Sequence, residues 1–414
     1  MIGRVLLRPL EACKQVIRSG SSVSSRSQDA LPWTPSGDPH TSFYSNDLLI
    51  TSVNESEKKT KPVDGDNLGF GLVFSDYMVD IDWSAKNGWT RPHLKKMENL
   101  SLHPAAKSLH YASQLFEGMK AYRGVDGRVR LFRPDLNMDR MKRSANRCAL
   151  PDFDANQLID IIVELVRHDI DWVPYSEVGS LYIRPTMIGT DSTLGVAQSG
   201  EAKLFVLSGP VGGYFGKGNQ AVTLLADPES VRAWPGGVGA YKMGCNYAPT
   251  VRVSANALKK GCHQVLWLSE EKQWVTEVGT MNVFMFWRNE NGEDELVTPS
   301  LKSGTILPGV TRQSLLDLSR QWGEFKVVEK DFTIHQLRRA VKENRLYEFF
   351  GCGTAAVVTP VEGILYINRE EQREEKISIP TLSSPYGIMK RLYQEVIDIQ
   401  YGRSEQPGWT REIS

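Results

Sequence analysis

The chain has 414 residues, 49 basic against 49 acidic side chains, and 41% hydrophobic residues. Balanced charge removes the electrostatic case for nucleic acid or an anionic membrane as main partner, and the length gives ample core for two or three domains. No run reaches the ~18 apolar residues of a spanning helix, and the five cysteines, none spaced C-x-x-C, argue against a disulfide framework or a zinc knuckle.

Residues 1–28 differ in kind from the rest. Arg4, Arg8, Lys14, Arg18 and Arg26 face one acid, Glu11, and serines crowd Ser19 to Ser27. Basic, serine-rich and acid-poor with scattered apolar positions is the pattern of a mitochondrial transit peptide, with a plain basic tail as the alternative. Residues 29–67 are rich in Pro, Ser, Asn, Asp and Lys and read as an irregular arm.

A first domain is expected over 68–208. Gly71 to Trp83 reads as extended. Phe116–Tyr122 and Val129–Phe132, joined by Gly124-Val-Asp-Gly127, read as a hairpin. Pro134 and Asp135 open a helix that carries Arg140. Asp154 caps another, in which Leu158, Ile161, Ile162, Leu165 and Val166 make one buried face. Leu181–Met187 and Lys203–Ser208 read as strands. Residues 209–218 read as a linker. They suggest a phosphate loop and fail the pattern, because Val211 stands where the first glycine belongs and Gly218 follows Lys217.

The second domain is expected over 219–414. Val222–Ala226, Gln264–Leu268, Met281–Trp287 and Ala355–Thr359 read as strands, and Thr311–Trp322 and Thr333–Val341 as helices. Ser384 and Pro385 open a terminal helix. Strands and helices mix without strict alternation, which predicts α+β (mixed α/β) packing rather than one doubly wound sheet.

Chemistry concentrates in a few short runs. Gly239-Ala-Tyr-Lys-Met-Gly-Cys-Asn-Tyr247 sets Lys242 five residues before Tyr247 in a glycine-bearing loop. Such a lysine is either a solvated surface charge or a desolvated amine able to form a Schiff base; glycines there suit close approach to a small molecule. The other runs are Leu115-Phe-Glu-Gly-Met-Lys-Ala121, Leu131-Phe-Arg-Pro-Asp-Leu-Asn-Met-Asp-Arg140, Thr276-Glu-Val-Gly-Thr-Met-Asn282, Leu307-Pro-Gly-Val-Thr-Arg312 and Gly351-Cys-Gly-Thr-Ala355.

In this order and spacing the runs resemble the branched-chain aminotransferases, pyridoxal-phosphate enzymes of the class IV aminotransferase fold, over about residues 68 to 403. The resemblance implies a two-domain fold-type IV enzyme with its site at the domain interface. It identifies Lys242 with the Schiff-base lysine, which also moves the proton from Cα. Glu277 matches the carboxylate facing the pyridine nitrogen, and Tyr247 the donor to the ring oxygen. Arg140, the helix start at Val310 and Thr311, and Thr354 match the phosphate cup. Phe70, Tyr111, Tyr182, Arg184, Thr280 and Ala355 match the substrate pocket.

The implied reaction is reversible transfer of the amino group of Leu, Ile or Val to 2-oxoglutarate, giving glutamate, in a homodimer of the mitochondrial matrix that binds neither nucleic acid nor membrane and needs no metal. Rivals on the same fold are a D-amino acid aminotransferase or an aminodeoxychorismate lyase, and outside catalysis a silent binding relative. Two departures stand out. Where mammalian members carry a C-x-x-C pair, this chain has Ala356 and Thr359, so no thiol–disulfide switch is expected. Cys245 stands where the family shows glycine, and its β-carbon restricts φ.

Overall fold

The computed structural model describes residues 33–62, 68–213 and 220–413. The expected leader at 1–28 and residues 214–218 of the expected linker lie outside the described residues. The chain runs through β1 (Leu49–Ile50), β2 (Tyr77–Ser84), β3 (Gly88–Trp89), β4 (His93–Lys96), α1 (Lys107–Tyr111), β5 (Gln114–Phe116), β6 (Met119–Arg123), β7 (Val129–Phe132), α2 (Pro134–Arg147), α3 (Ala155–His168), β8 (Ser180–Gly189) and β9 (Glu201–Val211). It continues through β10 (Val222–Ala226), α4 (Thr250–Lys259), β11 (Gln264–Ser269), β12 (Trp274–Val278), β13 (Met281–Arg288), β14 (Asp294–Thr298), α5 (Val310–Trp322), β15 (Lys326–Glu329) and α6 (Ile334–Lys342). It closes with β16 (Leu346–Gly353), β17 (Val357–Asn368), β18 (Arg373–Ser378), α7 (Ile388–Gln400) and β19 (Thr410–Glu412).

Two sheets result. The first is ordered β1-β4-β2-β9-β8-β6-β7-β19, with β3 on β2 and β5 on β8. Its long ladder, β8 against β9, alternates buried and half-buried side chains, the period of a sheet covered more on one face than the other. α2 and α3 supply the cover. Pro134 fixes φ in the first turn of α2. The Asp154 carboxylate accepts the N–H groups of Asn156 and Gln157 at the start of α3, satisfying donors that the helix itself leaves orphaned. Leu158, Ile161, Ile162, Leu165 and Val166 of α3 are all buried in the core of this sheet.

The second sheet runs β12-β11-β10-β17-β16-β13-β14-β15, with β18 on β17. An additional pairing of β12 with β13, Glu277 opposite Asn282, closes six of these strands into a ring. Closure leaves β12 without a free edge and fixes Glu277 between Trp267 of β11 and Asn282 of β13. A further core joins Tyr122 and Phe132 of the first sheet to Phe284, Phe350, Leu315, Leu392 and Trp409. Residues Pro35–Ser414 form one compact unit. No helix among the described residues is long and apolar enough to cross a membrane.

Two boundaries and one helix stand apart from the sequence reading. The strand expected from Ala355 begins at Val357, because 354–356 form the turn between β16 and β17. α7 begins at Ile388 rather than at Ser384: Gly387 takes φ +63°, and the Glu348 carboxylate accepts the N–H groups of Ile388 (3.0 Å) and Met389 (2.6 Å). A carboxylate from a neighbouring strand thus sets the helix start. α4 was not expected, and Ala257 is its buried residue.

Candidate functional site

The loop before α4 carries the reactive pair. Its backbone is stitched to the first sheet: the Phe116 N–H donates to the Lys242 carbonyl at 3.1 Å, Met243 bridges to Leu115, and the Lys242 N–H donates to Ser144 Oγ at 3.0 Å. Lys242 is therefore held by β5 and α2, not left as a surface charge. Its Nζ lies 3.4 Å from the Tyr247 hydroxyl and 5.0 Å from the centre of the Phe116 ring. Burial, then the nearby Arg140 charge, lowers its pKa to about 8. Burial and the Glu277 charge push the Tyr247 phenol up to about 12, so it stays protonated.

The glycines of this loop act differently from expectation. A β-carbon on Gly239 would sit 2.6 Å from the Thr305 carbonyl oxygen, and one on Gly244 would sit 2.4 Å from Gln114 Nε2. Neither has positive φ; both make room for other parts of the protein. Cys245 has no positive φ either, so its β-carbon is accommodated without strain.

Lys242 opens on a cavity of about 350 Å³. Eleven of the thirteen expected site residues line it: Phe70, Arg140, Tyr182, Arg184, Lys242, Tyr247, Thr280, Val310, Thr311, Thr354 and Ala355. Tyr182 and Arg184 stand two apart on β8 and so face one side. Arg184 Nη2 donates to the Tyr182 hydroxyl at 3.0 Å, and its guanidinium stacks 4.6 Å from the centre of Phe116. The Phe70 ring meets Tyr182 edge-on at 4.8 Å.

Glu277 lies behind the wall, buried on β12. Its Oε1 accepts the Leu307 N–H at 2.7 Å and its Oε2 sits 2.8 Å from Arg232 Nε. Burial raises its pKa, with Arg232 opposing. Tyr111 is the residue the structure sets apart. It is 40% exposed, its hydroxyl donates to the Leu194 carbonyl, and it does not line the cavity.

At the other end, α5 begins at the cavity wall without a side-chain cap. The N–H groups of its first turn form a site for an anion. A β-carbon on the N-cap Gly309 would fall 2.0 Å from Asn282 Oδ1, so only glycine fits there. Arg140 reaches the same end, but its fork is engaged. Its Nε and Nη2 donate to the two oxygens of Glu117 at 2.7 and 2.8 Å, and Nη1 to the Pro308 carbonyl at 3.2 Å. Glu117 is fully buried and also accepts from Asn137 Nδ2 and the Gly118 N–H. Arg140 and the other donors hold its carboxyl below the usual range against the effect of burial.

Sequence reading singled out neither Glu117, Arg232 nor Phe116. Glu117 and Phe116 stand inside a motif it quoted, and the available signal was two uncommonly spaced functional groups in a short apolar run. Arg232 carried no signal, because its partner is brought close only by the ring of strands. Among the described residues no group of His, Cys, Asp and Glu could hold a metal ion.

An amine with a lowered pKa, a phenol, a buried carboxylate and an anion-binding helix start thus surround one cavity, and these fit the parts of a phosphorylated pyridine aldehyde. The family model for amino-transferase class IV matches residues 114–364. The chain is 55% identical over 371 residues to a cytosolic branched-chain-amino-acid aminotransferase of Caenorhabditis elegans, covering 90% of this chain and 89% of that one. It is 49% identical over 378 residues to the mitochondrial branched-chain-amino-acid aminotransferase of Rattus norvegicus, covering 90% and 94%. Among solved structures, a branched-chain aminotransferase of Thermoproteus uzoniensis with norvaline shares the fold at a TM-score of 0.63 and 24% identity, over 81% of this chain and all of that one. A branched-chain amino acid aminotransferase of Thermobaculum terrenum in its PLP-form shares it at 0.63 and 21%, over 82% of this chain and 98% of that one.

Proposed function

The chain belongs to the class IV amino-transferase family, and on that footing we propose that it transfers the amino group of leucine, isoleucine and valine to 2-oxoglutarate, using pyridoxal phosphate, and runs the reverse transfer from glutamate. The observation that carries this reading is the Lys242 amine, lowered to about 8 and 3.4 Å from the Tyr247 hydroxyl inside the cavity. Pyridoxal phosphate, when bound, supplies the electron sink that stabilises negative charge at the substrate's α-carbon.

The chain's own groups do the rest. Lys242 Nζ would hold the cofactor through its aldehyde carbon and, once the substrate amine had displaced it, would carry the proton from the substrate α-carbon to that cofactor carbon. Tyr247, a phenol at any physiological pH, donates to the cofactor's ring oxygen. Glu277, whose pKa burial raises against the opposing Arg232 charge, would favour a proton on the ring nitrogen. The first turn of α5, with Thr354 and Arg140, receives the phosphate. Phe70, Tyr182, Thr280 and Ala355 wall an apolar pocket that suits branched side chains, and the Arg184 guanidinium supplies the charge needed for the second carboxylate of glutamate.

The enzyme works as a homodimer in this reading. Leu109, Tyr111, Leu194 and Val196 are exposed apolar side chains, and a bond from the Tyr111 hydroxyl to the Leu194 carbonyl ties the two segments together. A second copy covering that surface is the occupant that accounts for Tyr111, which resembles a pocket residue yet lies outside this chain's own cavity. Residues 1–28 direct the protein to the mitochondrial matrix. The relatives include cytosolic and mitochondrial forms alike, so the composition of the leader supports this compartment, and import of a reporter fused to residues 1–28 tests it.

The test of function is the visible absorption spectrum of the purified protein before and after leucine. A lysine-bound cofactor band that shifts with leucine and is absent in Lys242→Ala is expected. A band that ignores leucine and answers D-alanine would overturn the substrate assignment.

A further inference from the structure

Lys120 lies on β6 with only 5% of its surface exposed. Among the described residues its ammonium has no carboxylate in an ion pair, and it donates to the Ala355 carbonyl, at 3.0 Å from Nζ. Burying an unpaired ammonium is costly, and burial alone lowers its pKa to about 8. Neither the chemistry of Lys242 nor the phosphate end described above uses it. Ala355 stands in the 354–356 turn, and the residue that closes this turn, Val357, has φ +59°. A β-branched residue in the left-handed region is sterically strained. A buried lone cation and a strained valine thus meet at one short turn.

Peptide planarity supplies the connection. In a trans peptide the carbonyl of Ala355 and the N–H of Ala356 point opposite ways, and no described peptide is cis. Lys120 faces a small void behind Thr354 and does not line the main cavity, whereas Ala355 and Ala356 do. Drawing the carbonyl toward Lys120 turns the Ala356 N–H toward the cavity. A cation on the carbonyl also polarises the peptide and strengthens that N–H as a donor.

We propose that Lys120 is a positioning residue: by holding the Ala355 carbonyl it aims the 355–356 peptide N–H at the cavity, where the peptide receives the carboxylate of a 2-amino or 2-oxo acid. The inference rests on the aminotransferase reading above and assigns to Lys120 the recognition of that anion, not the chemistry. Lys120 touches no reacting atom and acts through the turn.

The test compares inhibition of the holoenzyme by 4-methylvalerate and by its neutral amide, in wild type and in Lys120→Met. The variant is expected to weaken inhibition by the carboxylate about 10-fold, the scale of one hydrogen bond to a charged group, and to leave the amide unchanged. The KM values for leucine and 2-oxoglutarate rise with it, by more than kcat falls. Equal losses for carboxylate and amide, or no loss for either, would overturn the proposal. So would a variant that releases its cofactor, judged from visible absorbance, since Lys120 would then serve the phosphate. Should Lys120→Met be recovered unfolded, Lys120→Gln keeps a donor for the carbonyl without the charge, and a smaller loss confined to the carboxylate is expected. A wild-type protein that does not transaminate leucine would sink the functional reading itself, an outcome separate from these.

Discussion

Lys242 shows how much a single environment changes a side chain. An exposed amine stays protonated until about pH 10.4; burial and Arg140 bring this one to about 8. The neutral form is the nucleophile, so capture of pyridoxal phosphate by apoprotein should accelerate as pH rises toward 8 and level off above it. Stopped-flow absorbance measures this, and a rate that keeps climbing to pH 10 would show an ordinary amine. Glu117 is the second decisive residue. Glu117→Gln leaves the buried Arg140 facing an amide, a change that costs about 3–5 kcal/mol when one partner of a buried pair is removed. Calorimetry should show a lower unfolding temperature, and fluorescence titration a weaker affinity for pyridoxal phosphate, because Arg140 keeps at most one of the two bonds that aim it.

Among elements, the start of α5 is the most exacting. Gly309→Ala drives a β-carbon into Asn282 Oδ1, and Asn282 Nδ2 in turn holds the Leu307 carbonyl at 2.8 Å. Shifting this turn is expected to weaken retention of the cofactor about 10-fold or more, seen as loss of visible absorbance on dialysis, with the fold intact by circular dichroism. What the sequence disclosed also divides by element. α3 was legible because its apolar residues recur at helical spacing and Asp154 caps it. α4 was not, because Val251 and Leu258 are exposed and only Ala257 is buried, leaving no face to detect. β18, Arg-Glu-Glu-Lys-Ile-Ser, was hidden by its charges, the usual dress of a strand at a sheet edge. Eight of the eleven lining residues stand in the quoted motifs, and Phe70, Tyr182 and Arg184 came only through the family resemblance, whereas Arg232 and Glu277 meet only through tertiary closure, which spacing does not report.

For the whole molecule, the C-terminal segment matters more than its three-residue strand suggests. β19 pairs with β7, the Arg133 N–H donates to the Trp409 carbonyl at 2.7 Å, the Arg133 guanidinium lies 4.2 Å over the Trp409 ring, and Ile413 is buried in the first sheet's core. Removing residues 404–414 should therefore destabilise the protein by about 4 kcal/mol, on the scale of losing one large and one medium core side chain, and thermal unfolding will register it. An unchanged midpoint would mean that the segment only rests on the surface. The same pairing has a temporal meaning. Phe132 leaves the ribosome long before Thr410, its partner, has been synthesised. Until residues 410–412 emerge, the β7 side of the first sheet waits as an open edge able to pair with other chains. The nascent protein is thus open to misassembly for the whole interval between synthesis of Phe132 and synthesis of Thr410, and closing that edge is a late event of its folding.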